Sequence, residues 1–527
     1  MSGTDLRLGI DVGGTNTDAV VIDGADRLLA KAKVVTSADV MSGVSAAIGA
    51  VVAQLGDQRA RITHLMLGTT HVTNAVLEQR GLRRVAALRI GGPATRSVPP
   101  LATWPADLRS AVAVDTAIVG GGIELDGHEI APFDAEATAR FFDTLTGKVD
   151  AVAITSVFAA VSDRHEVRAE EIARAVLGDV HVSLSHEIGT IGLVERENAT
   201  VLNAALVGLA EEVAGGLRAV LADHSLEPAL YLAQNDGTLM SLEHALRFPV
   251  LTIGCGPANS IRGAAHLSGA EDALVADVGG TTTEVGALVA GFPCESSEVI
   301  GFGGVRTNFR MPDVVVLPVG GGTVVSGDPG AVRVGPDSLG FRLDAAALVF
   351  GGATATLTDA AVGGGRAEVG DRARLNGHRA LLAGALKRSD AMLAEAVDRA
   401  KMVRGEPPLI VVGGAGFLVP DDLPGVSEVR RPEHSEVANA FGAAIAQISG
   451  QVDRIVHFGT SGRDRVLASA REAAQAQAVR AGADPDRTAV VEVEEVPLAY
   501  LTDPAVRIRV KAVGPLGIVP RRDRTEG

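Results

Sequence analysis

Cysteine is almost absent from this 527-residue chain, and tryptophan and tyrosine occur once and twice. The two thiols, Cys255 and Cys294, lie far apart. They form neither a disulfide framework nor a zinc pattern, so a reduced, cytoplasmic setting is expected and Cys255 reads as structural. Aromatic residues make up 3% of the chain against 46% hydrophobic residues overall, so the cores must be built from Ala, Val, Leu and Ile. Basic residues are also short, with 48 Lys and Arg against 64 Asp and Glu and a formal charge of −16. That balance excludes the basic footprint of a nucleic-acid-binding surface, but it leaves room for a nucleotide site built from local N–H groups and a metal. No uninterrupted apolar run approaches the roughly 18 residues that span a bilayer. The N-terminus has no basic segment followed by an apolar one, and no membrane partner is expected.

Glycine is abundant instead, with 63 residues against an ordinary share of about 7%. The glycines cluster in loops between apolar strands, which predicts an α/β protein with tight, backbone-lined turns. At about 150 residues per domain, the length allows roughly three domains.

Asp-Val-Gly-Gly-Thr occurs twice, at Asp11–Thr15 and Asp277–Thr281, once in each half of the chain. Each copy follows an apolar strand and runs into a second one through Asn16-Thr17-Asp18 or Thr282-Thr283-Glu284. Paired glycines let backbone N–H groups approach an anion, and a Thr hydroxyl adds a donor. An Asp at the strand end can hold hydrated Mg²⁺ against that anion. A single Gly-Gly hairpin is more often only a turn. Two copies predict two lobes closing on one polyphosphate.

Around these turns the pattern predicts a helix over Val40–Leu55, a strand at His64–Leu67 and a helix over His71–Gln79 ending at Gly81. Further expectations are a strand at Ala151–Thr155, a helix over Asp163–Leu177 and a long helix over Glu195–Leu221 that bridges the lobes. Leu251–Ile253 is read as leading into a glycine turn at Gly254–Pro257, and Val314–Leu317 into the Gly320–Gly322 loop, either a phosphate or a substrate loop. A helix over His378–Arg404 leads to Leu409–Val412 and the loop Gly413-Gly414-Ala415-Gly416. Alone, that loop is a close-packed turn or an adenosine contact; after two phosphate turns the adenosine contact is the better reading. In the tail, Val491–Glu494 and Val506–Lys511 alternate apolar with acidic and basic residues and should pair, beside a helix over Leu467–Ala481.

Several segments resemble the hydantoinase A/5-oxoprolinase family of the actin-like ATPase superfamily. Leu67–Gly81 is similar to its "GTT-x-x-TNA-L-E-x-x-G" segment and Glu195–Ala204 to its "ER-x-x-T-x-x-NA" helix. Gly254–Ala258 stands where "SGPA" is usual, and Val334–Gly340 and Thr356–Ala360 resemble "VGP-x-S-x-G" and "T-x-TDA". The resemblance runs over roughly residues 6–445. It implies an α/β fold of two ribonuclease-H-like lobes with a nucleotide cleft: residues 1–195, residues 196–450, and a small C-terminal α/β appendix at 451–527. It implies ATP and Mg²⁺ as cofactors and an ATP-dependent cyclic amidase acting on a 5-oxoproline-, hydantoin- or lactam-like ring through phosphorylation of the carbonyl oxygen. An ATP-dependent ketone carboxylase, a kinase subunit and a nucleotide-gated regulatory subunit are the competing readings.

By the same resemblance, Asp11 and Asp277 would hold the metal and serve catalysis. Gly13, Gly14, Thr15, Asn16, Thr17, Gly279, Gly280, Thr281 and Thr282 would cradle phosphates, with Gly413, Gly414 and Gly416 beside the adenosine. Thr69, Thr70, His71, Asn74, Glu195, Arg196 and Asn203 are substrate candidates. Against this, Thr70 and Asn74 also suit helix capping, His71 a surface position, and Glu195 and Arg196 a helix-start charge pattern. Family A subunits are typically longer, with a larger C-terminal domain. A hydantoinase B-type second subunit is the implied partner, and an oligomer is expected.

Overall fold

The computed structural model describes residues 5–36, 39–189, 191–296, 301–309, 311–457, 462–498 and 505–517. The first Asp-Val-Gly-Gly-Thr joins Leu6–Val12 (β1) to Asn16–Ile22 (β2), which turns back into Leu28–Val35 (β3). Ile62–Thr69 (β4) then lies parallel to β1, and Ala229–Ala233 (β9) parallel to β4. Val40–Leu55 (α1) connects β3 to β4 and starts at Asp39, whose carboxylate accepts from the Met41 N–H. Its Val44, Ala47, Ile48 and Val51 recur at helical spacing and are buried on the sheet. Each of the Val and Ile side chains contributes about 1.5–3 kcal/mol. By length and composition this helix and the turn after it could cross a membrane, but here its apolar face belongs to the core.

The second lobe repeats the arrangement. Ala273–Val278 (β11) forms a hairpin with Thr283–Val289 (β12) around the second Asp-Val-Gly-Gly-Thr. Phe292–Pro293 (β13) and Val314–Leu317 (β16) pair with β12. Leu409–Val412 (β19) runs parallel to β11, and Val429–Arg430 (β20) parallel to β19. The order β3-β2-β1-β4-β9 in one sheet therefore matches β16-β12-β11-β19-β20 in the other. This is the two-lobed, actin-like α/β architecture expected. Two small hairpins, Gly301–Phe302 (β14) with Val305–Arg306 (β15) and Thr323–Ser326 (β17) with Arg333–Ser338 (β18), decorate the lobe. Short helices at Leu343–Ala346 (α9) and Leu357–Gly363 (α10) precede Arg379–Ala400 (α11), which covers this sheet.

Strand pairing cuts across the expected division at 195/196 and 450/451. Val85–Gly92 (β5), Ala113–Gly120 (β6), Ala151–Ser156 (β7) and His181–Leu184 (β8) form their own parallel sheet in the order β6-β5-β7-β8. Ala106–Val112 (α3), Ala135–Asp143 (α4) and Arg164–Leu177 (α5) connect its strands. The 451–527 segment joins the first sheet. Leu239–Ser241 (β10) offers an edge to Ile448–His457 (β21), which continues the first sheet through Ala505–Gly514 (β23) to Ala489–Leu498 (β22). The tail register sets Glu492 opposite Lys511 and Glu494 opposite Arg509, as alternation implies. The Lys511 ammonium, however, also pairs with Asp236 at 2.7 Å, tying the tail to the loop before β10. Arg463–Arg480 (α13) buries Leu467, Ala470 and Ala474 against these strands.

Three local expectations change. His71–Glu78 (α2) ends on Gln79, which takes the left-handed conformation two residues before Gly81. Leu251–Ile253 is no strand; after Leu242–Arg247 (α7) the chain makes a 3₁₀ turn at Pro249–Thr252. Only Gly254 turns there, because Cys255–Ser268 (α8) has already begun. Helix α8 crosses Ala438–Ile445 (α12) backbone to backbone. A β-carbon on Gly263 would collide with the Ala438 carbonyl, and one on Gly442 with the Asn259 carbonyl.

Candidate nucleotide and metal site

Both Asp-Val-Gly-Gly-Thr turns close in the same way. The Gly13 N–H donates to Asn16 O at 3.0 Å and the Gly279 N–H to Thr282 O at 2.9 Å. Each hairpin register then sets a second acid opposite the first, Asp18 across from Asp11 and Glu284 across from Asp277. The turns face each other closely: a β-carbon on Gly280 would lie 2.7 Å from Thr15 Oγ1. Around Gly14, by contrast, a β-carbon would meet nothing within 4 Å, so this backbone borders open space.

The Gly320–Gly322 loop is a buttress. Its Gly321 and Gly322 N–H groups donate to Gly279 O and Gly280 O at 3.1 and 2.6 Å, so those donors are spent on the second turn. Gly413 lies against Asp277 so tightly that a β-carbon would strike its carboxylate, and Gly414 packs beside the Lys33 side chain. That loop therefore abuts the acidic end of the cleft.

Four carboxylates converge here with little compensating charge. Burial pushes the Asp11 carboxyl up to about 8, with Asp18 and Asp277 adding to the shift. Burial, then Asp277 and Asp11, push Glu284 up to about 8 as well. Asp18 is raised by burial to about 6 against the opposing pull of Lys33. The Lys33 ammonium donates to both Asp18 oxygens at 2.8 Å and to Glu436 O at 3.0 Å. Asp277 Oδ2 accepts from Ser260 Oγ at 2.5 Å and from Asn439 Nδ2 at 3.2 Å. Asp11 Oδ1 is buried with no hydrogen-bond partner among the described residues. A divalent cation fits this donor set, since it would relieve carboxylate repulsion and occupy an unused oxygen. Among the described residues no three His, Cys, Asp or Glu side chains form a chelating group. The fit is therefore to Mg²⁺ held largely through water and phosphate oxygens.

Not every candidate joins the site. Thr17 is buried, with its hydroxyl 3.2 Å from Thr36 Oγ1, and it faces the core below the turn. Asn16 opens β2 opposite Val35. Thr281 and Thr282 are exposed on the second turn, with Ser338 Oγ 3.4 Å from Thr281 Oγ1. Gly416 packs on Val411. Thr69 and Thr70 end the strand beside Asp11. Thr70 donates to Val12 O at 3.0 Å, and Thr69 Oγ1, rather than Thr70, caps α2 by accepting from the His71 N–H. His71 and Asn74 are half-buried in the first turn of α2.

The Glu195–Asn203 segment lies on Leu193–Asp223 (α6), and most of its polar groups are buried. Arg196 is 1% exposed and donates to Ser185 Oγ at 2.9 Å and to Ser156 O. Asn203 donates to Ser183 Oγ at 3.0 Å and Arg247 O at 2.9 Å. Their neighbours Glu197 and Asn198 bind Arg89 and Trp104. These side chains fasten α6 to the inserted sheet. Glu195 alone is partly open, 3.9 Å from Arg306.

Sequence reasoning missed Ser260, Asn439 and Lys33. Asp18 and Glu284 stood in the repeated string, and their equal spacing from Asp11 and Asp277 was the available signal. Cys255 is structural as expected: its buried thiol lies 3.5 Å from Thr69 O, and burial pushes it up to about 12.

Comparison with known proteins agrees with this architecture. The Hydantoinase/oxoprolinase N-terminal region matches residues 7–177, and the Hydantoinase/oxoprolinase region matches residues 196–371. Caprolactamase subunit alpha of Pseudomonas jessenii is 28% identical over 68% of this chain and 54% of its own length. 5-oxoprolinase 1 of Arabidopsis thaliana is 25% identical over 53% of this chain and 24% of its own. The chain thus spans about half the length of the caprolactamase subunit, and less of the oxoprolinase. The crystal structure of the ATP-dependent caprolactamase from Pseudomonas jessenii superposes with a TM-score of 0.74 at 20% identity, covering 97% of this chain and 88% of that one. Nucleotide-free acetone carboxylase superposes with a TM-score of 0.72 at 16% identity over the same shares.

Proposed function

The chain belongs to the hydantoinase/oxoprolinase family, and from that premise we propose that it binds Mg²⁺·ATP between its two Asp-Val-Gly-Gly-Thr turns and uses it to open a cyclic amide. The observation that carries the reading is the apposition of Thr15 and Gly280, with Asp11 and Asp277 at the ends of the strands entering the two turns. Such a pair of N–H-lined turns suits a polyphosphate, and the acids suit its metal.

A lactam carbonyl is a poor electrophile and its nitrogen a poor leaving group. In the proposed reaction the carbonyl oxygen attacks the γ-phosphorus and ADP departs. Water adds to the activated carbon, the C–N bond breaks to free the amine, and a second water releases phosphate. Bound Mg²⁺ would supply charge neutralisation to the phosphates. Gly14 and the Thr15 and Thr281 hydroxyls would orient the phosphates from either lobe. Asp277, fixed by Ser260 and Asn439, would hold its metal-facing oxygen without reorganisation. The name caprolactamase subunit alpha speaks of a second subunit in that protein; a B-type partner is proposed here on that ground.

The test is ATP hydrolysis screened over lactams, hydantoins and ketones, with and without the proteins encoded next to this one. Turnover that requires a cyclic amide supports the reading. Turnover that requires bicarbonate and a ketone, or tight nucleotide binding with no turnover under any condition, would overturn it.

A further inference from the structure

Helix α8 meets both aspartates through consecutive residues. Ser260 donates to Asp277 of the second lobe. The preceding residue, Asn259, brings its amide beside Gly68, where Asp11 of the first lobe also lies. Asn259 is fully buried, yet neither its Nδ2 nor its Oδ1 has a hydrogen-bond partner among the described residues, and Asp11 Oδ1 has none either. Buried amides and carboxylates without partners are rare, because each forfeits its hydration. Here the unsatisfied atoms sit together. A β-carbon on Gly68 would lie 2.5 Å from Asn259 Nδ2 and 2.9 Å from Asp11 Oδ1, so both atoms crowd the same face of one glycine. They are close enough to share a single bridging water.

We propose that Asn259 is a positioning residue of the metal site, its amide N–H fixing the Asp11 carboxylate directly or through one water when Mg²⁺·nucleotide occupies the cleft. The inference rests on the nucleotide reading above. It assigns each aspartate a holder from the same helix, Ser260 for Asp277 and Asn259 for Asp11. Gly68 belongs to the device, because any side chain there would push between the two groups.

The polar cost of this arrangement provides a test separate from catalysis. Asn259→Leu keeps the approximate shape and removes two unsatisfied polar atoms, a change that is neutral or stabilising where the polar group has no partner. In the full-length chain without ligand, Asn259→Leu should therefore unfold at the parental temperature or above it. The same variant should bind a non-hydrolysable ATP analogue in Mg²⁺ at least tenfold more weakly by calorimetry, with binding in EDTA unchanged. Gly68→Ala, which enters the same space from the opposite side, should weaken the Mg²⁺-dependent binding in the same way and serves if Asn259→Leu fails to fold. Parental Mg²⁺·nucleotide affinity in the folded variant or variants would overturn the inference and leave the nucleotide reading standing. A parental chain that binds no Mg²⁺·nucleotide would overturn both.

Discussion

Thr15 and Gly280 belong to different lobes, yet a single added methyl on Gly280 would come within 2.7 Å of the Thr15 hydroxyl. The two turns are thus set at a separation that one carbon atom disturbs. Gly280→Ala should reduce ATP turnover about 10²-fold, the scale of a 1 Å misplacement of reacting groups. Because the added methyl meets a partly exposed turn, the unfolding temperature should change little. Steady-state kinetics beside a thermal melt check both halves of this expectation.

Asp11→Asn and Asp277→Asn should each leave the fold intact and lower ATP turnover by about 10²-fold or more, the scale of removing one preorganised electrostatic group. Circular dichroism and phosphate release measure the two outcomes. If both variants hydrolyse ATP at the parental rate, the phosphate-site assignment is wrong.

The acidic cluster makes the ligand-free protein sensitive to pH in a defined direction. Asp11 and Glu284 are raised to about 8 and Asp18 to about 6, all above their ordinary values near 4. Burial lowers His64 and His181 to about 4, which opposes the effect of these carboxyls up to about pH 6.5. Between about pH 6.5 and pH 8 the Asp11 and Glu284 carboxyls keep protons that the unfolded chain has lost, and their contribution to stability falls as pH rises. The unfolding temperature should drop across that window. Asp11→Asn should flatten the slope, and Mg²⁺·nucleotide should oppose it at the alkaline end. A melt series from pH 6.5 to pH 8.5 is sufficient; a rising curve contradicts the assignment.

Arg89 and Glu197 form a bidentate pair at 2.7 Å in which both side chains are almost fully buried. Glu197→Ala should strand the guanidinium and destabilise the chain by about 3–5 kcal/mol in urea denaturation. Replacing both residues by apolar ones should recover much of that loss. An effect confined to KM, with stability unchanged, would return this segment to the substrate site.

Legibility followed sequence distance. The two strand–turn–strand hairpins were readable because strand, acid, glycines and hydroxyl lie within a few consecutive residues. Helix α1 was readable because its apolar spacing and the Asp39 cap are local. Ser260 and Asn439 were not, because they reach Asp277 only after α8 and α12 cross, and nothing near either residue marks that crossing. The partners of Arg196 and Asn203 were not legible either. Charged and amide groups on a helix suggest a cleft, but here an inserted sheet covers them and supplies their partners. The tail strands could be paired with each other by alternation, whereas their joining to the first sheet runs through β21, whose partner β10 lies more than 200 residues earlier in the chain.

The contact of α8 with α12 has a mechanical consequence. Gly263 and Gly442 bring the two backbones together without intervening side chains, so the crossing has no compliant layer to absorb rotation. Ser260 rides on one of these helices and Asn439 on the other, and both hold the same oxygen of Asp277. Any change in the angle at which the helices cross must therefore stretch or release the grip on that oxygen. In this molecule, the crossing angle of α8 and α12 and the fixing of the Asp277 carboxylate are coupled.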